Sequence, residues 1–227
     1  MPVYNWTRVD AGIFHHFHQD WIAAICRRLN SGLLPLYYYA LIEQETGEDG
    51  LDVRTLKSLP RTKSALVDES SYLPYLKKQN IVVVRHVPDD EPVAVLLILS
   101  RGNKSSRLAL QAVLDNVLAL VHARIHVLLV DLFPPTSRDP FGVHSALWEE
   151  AKGIHFEPPA DKPLTLAVYE AGEELGAFGV PIAVGDVLPA MPLLLRQGAT
   201  VAVPLGETYA STWRGMPHRW REVLERG

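Results

Sequence analysis

The chain is predicted to fold as an α/β protein around a mixed β-sheet. Residues 93–99 are an unbroken apolar run and 125–133 a mostly apolar one, both rich in Val, Ile and Leu, the pattern of strands buried on both faces. Between them, residues 103–122 carry Leu110, Val113, Leu114, Val117 and Val121 at helical spacing. Strand, helix and strand in this order make a βαβ unit, with its two strands parallel and a right-handed crossover.

The other elements follow from local patterning. Residues 19–29 place Trp21, Ile22, Ile25 and Leu29 on one helical face, and Asn30-Ser31-Gly32 ends that helix. Residues 36–44 are aromatic and apolar and read as a strand. Residues 46–50 read as a turn, and 51–56 as a shorter strand. Residues 57–79 are polar, contain Pro60 and Pro74, and read as a surface excursion. Residues 81–87 and 93–99 are joined by Pro88-Asp89-Asp90-Glu91-Pro92, a hairpin signal. Asn103 or Ser105 is the expected cap of the 103–122 helix.

Beyond residue 133 the texture changes. Residues 143–152 read as a short helix, and 164–169, 178–184 and 201–205 as short strands separated by Pro and Gly. Residues 217–225 read as a closing helix with Trp220 and Leu224 as its apolar contacts. No linker-like segment divides the chain. One domain over 1–227 is expected, with a core at 10–133 and a strand-rich C-terminal elaboration at 134–227.

Composition narrows the function classes. Of 227 residues, 48% are apolar and 21% charged, and the net charge is −4 with histidines neutral. That balance is ordinary for a globular protein and does not favour nucleic acid as a partner. Cys26 is the lone cysteine, so no internal disulfide forms. Residues 1–6 lack the basic start and apolar run of a signal peptide. His122, Arg124, His126 and Asp131 interrupt the greasiest stretch, so no bilayer span is expected. The reading is a cytoplasmic protein with no membrane partner.

Chemistry is expected at the carboxyl ends of the parallel strands, where open α/β sheets bind ligands. The segment Ser100-Arg101-Gly102-Asn103-Lys104-Ser105-Ser106 joins strand to helix there and is dense in donors. Ser100, Asn103 and Lys104 are therefore candidate ligand-binding residues, together with Asp131 near the end of the next strand. The same residues equally suit a polar loop that caps a helix.

Asp52, with Glu43 or Glu45 on the neighbouring strand, could hold a hard cation such as Mg²⁺, or could be an exposed acid beside a turn. If strand 81–87 inserts between 51–56 and 93–99 in a meander, Asp52 falls at the edge opposite Ser100. If 51–56 is antiparallel to 93–99, the two share an edge. His15, His16 and His18 form a third cluster, able to bind Zn²⁺. Phe14 and Phe17 between them suggest instead an anchor on the core. Gly-x-Ser-x-Gly, Walker and Gly-x-Gly-x-x-Gly motifs do not occur. Trp148, Trp213 and Trp220 suit core or rim packing more than a ligand pocket.

Several segments together resemble the domain of unknown function 4058 family, bacterial proteins without an assigned activity. They are Phe14-His15-His16-Phe17-His18-Gln19, Leu29-Asn30-Ser31-Gly32-Leu33-Leu34-Pro35, Tyr38-Tyr39-Ala40, Ser100 to Arg107, and Val130-Asp131-Leu132-Phe133-Pro134-Pro135. Asp139-Pro140-Phe141-Gly142-Val143-His144, Trp148 and Pro204-Leu205-Gly206-Glu207-Thr208-Tyr209 extend the likeness along nearly the whole chain.

More remotely, the order helix, three strands, helix, strand resembles the restriction-endonuclease-like core of PD-(D/E)xK nucleases, including Uma2-like proteins. It is supplied here by 19–29, 36–44, 51–56, 93–99, 104–122 and 125–132. That resemblance implies a second-strand acid, matched by Asp52, a third-strand acid and a lysine, matched by Lys104. Leu51 stands where a proline usually precedes the first acid. Leu97 stands at the third-strand acid, and Arg101 replaces the proline of the Ser-Pro-x-Asn-Lys segment. An apolar side chain cannot ligate a metal. The leading expectation is a catalytically degenerate domain that binds a ligand or partner at the 100–104 edge and needs no cofactor. The alternatives are a Mg²⁺-dependent phosphodiesterase acting on nucleic acid through Asp52, Glu43 or Glu45, and Lys104, and a structural protein that forms homodimers.

Overall fold

The computed structural model describes residues 1–44 and 80–226. Helix α1 (Ala11–Arg28) buries one stripe: Phe14, Phe17, His18, Trp21, Ile22 and Ile25. It passes into a wide turn at Leu29–Leu33, where Gly32 takes φ +98°, a left-handed value that glycine adopts without steric cost. Asn30 in that turn acts as a strand partner. Its side chain accepts from the Ala40 N–H at 2.8 Å and donates to the Ala40 carbonyl at 2.9 Å. This clamps the end of α1 to strand β1 (Tyr38–Gln44).

Strands β2 (Asn80–His86), β3 (Pro92–Ile98), β4 (His126–Asp131), β5 (Leu164–Ala171) and β6 (Leu175–Ile182) complete a six-stranded sheet in sequential order β1-β2-β3-β4-β5-β6. β3 and β4 are parallel, with Leu97 opposite Leu129, and the other neighbouring pairs are antiparallel. The crossover between the parallel strands carries α2 (Arg107–His122), as the βαβ pattern predicts. Next come α3 (Gly142–Lys152), the hairpin β7 (Met191–Leu194) and β8 (Thr200–Val203), α4 (Leu205–Gly215) and α5 (His218–Glu225).

Alternation along the strands sorts the core into two layers. Val82, Val84, Ala94, Leu96, Ile98, Leu128 and Val130 face α1, the β7–β8 hairpin and α4. Ile81, Val83, Val95, Leu97, Val127 and Leu129 face α2 and α3. β3 is buried at every position because both faces are covered. Burying each such aliphatic side chain stabilises the fold by roughly 1.5–3 kcal/mol. No helix among the described residues is long and apolar enough to cross a membrane.

Several expectations need correction. α1 starts eight residues before position 19, because Phe14, Phe17 and His18 continue the buried stripe backwards. β1 starts at Tyr38, since Leu36 lies in a turn and is 95% exposed. The strand paired with both β1 and β3 is β2. The strand expected at 51–56, the turn at 46–50 and the polar stretch 57–79 lie outside the described residues. The 103–122 helix is split. A 3-10 turn at Arg101–Lys104 precedes α2, whose cap is Ser106, accepting from the Ala109 N–H at 3.0 Å, not Asn103 or Ser105. β6 begins at Leu175 and ends at Ile182, short of the 178–184 reading. Leu205 opens α4 rather than closing a strand. Neither α4 nor β7 is evident in the sequence. Gly206 permits the helix to approach a neighbour: a Cβ there would lie 2.5 Å from the Leu188 carbonyl oxygen.

Candidate functional site at the carboxyl edge of β3 and β4

β3 delivers the chain to Ser100, and the 3-10 turn that follows reverses it. The Ser100 N–H and hydroxyl both donate to Asn103 Oδ1, at 2.7 and 2.9 Å. These polar groups thus satisfy one another, and the tight turn swings Lys104 inward beneath the edge. Lys104 Nζ reaches the Phe133 carbonyl at 2.9 Å and the Pro134 carbonyl at 3.3 Å. It also lies 2.7 Å from Asp131 Oδ2 and 2.9 Å from Asp139 Oδ2.

Each carboxylate has further support. Asp131 Oδ1 accepts from the Phe133 N–H at 3.1 Å, and Asp139 Oδ1 from the Thr136 N–H at 2.9 Å and from its hydroxyl. One ammonium against two carboxylates leaves one negative charge in excess. The Arg138 guanidinium donates to the Lys104 carbonyl at 3.2 Å at the rim of this cluster. Burial pushes the Asp131 carboxyl above its ordinary value, while Lys104 pulls it down.

The edge therefore brings together Ser100, Asn103, Lys104 and Asp131, as expected, but as a closed cluster. Lys104 is 3% exposed and Asp131 2%. Lys104 is not a free cation at an open edge, because four oxygens surround its three N–H donors. Asp139 is the member the sequence did not single out. Its signal was the Thr136-x-x-Asp139 turn, in which a carboxylate accepts from the backbone three residues before it.

Glu43 sits toward the same end of the sheet, since β1 and β3 run the same way. Its Oε1 accepts from Arg85 Nε at 2.9 Å, with both side chains at most 15% exposed, so it is engaged in an ion pair. Asp52 and Glu45 lie outside the described residues. The histidines divide: His15 and His16 are exposed on α1, while His18 is buried with Nε2 3.2 Å from the Ile98 carbonyl, which makes that nitrogen the donor. Burial lowers the His18 pKa to about 4. Among the described residues no three His, Cys, Asp or Glu side chains group as metal ligands. Leu97 is 6% exposed within the layer beneath α2. Trp213 is buried in the opposite layer, and Trp220 packs against it partly exposed.

Beside the cluster a groove of about 480 Å³ opens between α2 and α3. Arg107 and Arg138 stand at the end nearest Lys104, and Glu149 and Glu150 line it further along. Leu110 and Leu114 form its floor. Leu110 and Leu114 belong to the apolar stripe read in the sequence, whereas Arg107, Arg138, Glu149 and Glu150 were not singled out there as site residues. Comparison of the chain with protein-family models, with curated proteins and with solved structures finds no match.

Proposed function

We propose that this chain is a non-hydrolytic binding domain built on a PD-(D/E)xK-like frame, related to the domain of unknown function 4058 family. Its ligand enters beside residues 100–104, through the α2–α3 groove. The observation that carries the reading is the enclosure of Lys104 Nζ by Asp131, Asp139 and two carbonyls. A lysine that polarises a scissile phosphate must present an open N–H to it, and here those donors are directed inward. Leu97 supports the same reading, since an acid needed there for Mg²⁺ is replaced by a buried aliphatic group. The order α1, β1, β2, β3, α2, β4 supports the frame. The same reading places the protein in the cytoplasm, without a membrane partner.

The test is calorimetric titration of the full chain with Mg²⁺ and Mn²⁺, combined with incubation against single- and double-stranded DNA and RNA. No saturable metal heat and no metal-dependent cleavage are expected. Stoichiometric metal uptake with cleavage abolished by Asp52→Ala would overturn the reading in favour of a phosphodiesterase. A dimer by light scattering in which the α2–α3 groove is covered would overturn it in favour of a structural role.

A further inference from the structure

The groove between α2 and α3 is charged with opposite sign at its two ends. At one end stand Arg107 and Arg138, and neither guanidinium has a carboxylate partner among the described residues. Arg138 is held at the start of α2 by its bond to the Lys104 carbonyl. At the other end, Glu150 accepts from Gln111 Nε2 at 3.0 Å, and Glu149 is 63% exposed, with His155 Nδ1 3.8 Å from its carboxylate. Gln111 lies one helical turn beyond Arg107, a rise of about 6 Å along α2. Leu110, Leu114 and Ala146 supply the apolar part of the groove's lining.

We propose that this groove binds a short peptide of dipeptide size through both free termini. The inference rests on the binding reading above and specifies its ligand. The peptide carboxylate would meet Arg107 and Arg138, whose planar guanidinium groups suit paired N–H···O bonds to a carboxylate. The peptide ammonium would meet Glu149 and Glu150, and small side chains would lie over Leu110 and Leu114. Length selects the ligand. An extended dipeptide spans at most about 7 Å, matching one turn of α2. In a single amino acid both charges sit on one carbon and cannot reach the two ends together. A cavity of about 480 Å³ lies within the ordinary range for small-ligand sites.

The test is calorimetry of the full chain with L-alanyl-L-alanine, its N-acetyl derivative and its C-terminal amide. The free dipeptide is expected to give saturable heat at millimolar concentration, and each blocked form to bind at least about tenfold more weakly. Arg107→Ala and Glu149→Gln, both exposed positions, are expected to weaken the free dipeptide similarly while keeping the wild-type Tm. Should either variant lose its fold, the blocked peptides on wild-type protein still decide the matter. No saturable heat, equal binding of blocked and free peptides, or indifference to both substitutions would overturn the proposal. These outcomes are separable from failure of the underlying reading, which is read in the metal and cleavage measurements. Metal-dependent cleavage sinks that reading whatever the dipeptide does, and a silent dipeptide without cleavage sinks the ligand class alone.

Discussion

Lys104 Nζ and Asp131 Oδ2 face each other at 2.7 Å across the ends of two neighbouring parallel strands, with each side chain at most 3% exposed. Such a pair is held by geometry: its desolvation cost is offset only while every partner stays in place. Lys104→Met removes the cation and leaves Asp131 and Asp139 buried together. The expected cost at neutral pH is about 3–5 kcal/mol. Burial raises the Asp131 carboxyl above its unfolded value, and loss of Lys104 removes the charge that pulls it down. The native state then takes up protons first as pH falls, and the deficit shrinks toward acid pH. Urea unfolding at pH 7 and pH 5 measures both effects. A variant as stable as wild type at pH 7 would show that the cluster is not the closed structural unit described.

The parts of this arrangement differed in how plainly the sequence announced them. β3, α2 and β4 were legible because β3 is apolar throughout, β4 has an apolar centre at 127–130 and α2 keeps helical periodicity, and the turn between β2 and β3 carries two prolines and three acids. The start of α1 was hidden by His15, His16 and His18. A histidine does not count as apolar in a periodic pattern, yet buried neutral His18 occupies a core position. α4 was hidden for a related reason. Its buried stripe is Leu205, Thr208, Tyr209, Thr212 and Trp213, and two threonines dilute the apolar signal. Thr208 is accommodated because its hydroxyl donates to backbone carbonyls within the helix and accepts from Trp21 Nε1 at 3.0 Å. Lys104 and Asp131 were legible as neighbours from the βαβ topology. Asp139 was not, because its contact with Lys104 depends on how the loop after β4 folds back.

Tyr209 ties the N-terminal segment to α4. Its hydroxyl oxygen accepts from the Tyr4 N–H at 3.2 Å and from Trp6 Nε1 at 3.1 Å, and its ring packs against Phe17 and Trp21. Tyr209→Phe keeps the ring and strands two donors, one of them fully buried. A loss of about 2 kcal/mol is expected, the cost of leaving a buried donor unsatisfied. Chemical denaturation followed by tryptophan fluorescence measures it. An unchanged midpoint would mean that both donors find other acceptors.

His18 makes stability fall with acidity. Its pKa is lowered by burial, and secondarily by His15, to about 4, against about 6.5 in an unfolded chain. Between these values the unfolded chain binds the proton and the native state does not. The stabilisation is therefore complete above about pH 6.5 and drains away as pH falls toward 4. Between pH 7 and pH 5 the loss attributable to this one ring is about 2 kcal/mol. Burial lowers His126 and His144 as well, so they act in the same direction. His18→Gln retains a donor for the Ile98 carbonyl but does not titrate. Unfolding free energies at the two pH values are expected to differ less in the variant. A difference equal to that of wild type would remove His18 as the source.

Leu97 is where the binding and hydrolytic readings separate most sharply. It stands opposite Leu129 in the parallel register, beneath α2, and is 6% exposed. Leu97→Glu puts an acid at the third-strand position of the nuclease-like pattern. If that position opened on a metal site, the carboxylate would gain a cation and the variant would bind Mg²⁺ without large loss of stability. The surrounding layer is aliphatic, so the charge instead meets Val95, Val127 and Leu129 with nothing to pair it. Its folded pKa rises above the unfolded value of about 4.3, so stability is spared at acid pH and lost as pH rises through that window. A deficit of about 3 kcal/mol or more is expected at pH 7, smaller at pH 5, with no Mg²⁺ heat in calorimetry. A stable variant that takes up Mg²⁺ would show that the edge retains the geometry of a metal site and lacks only the ligand.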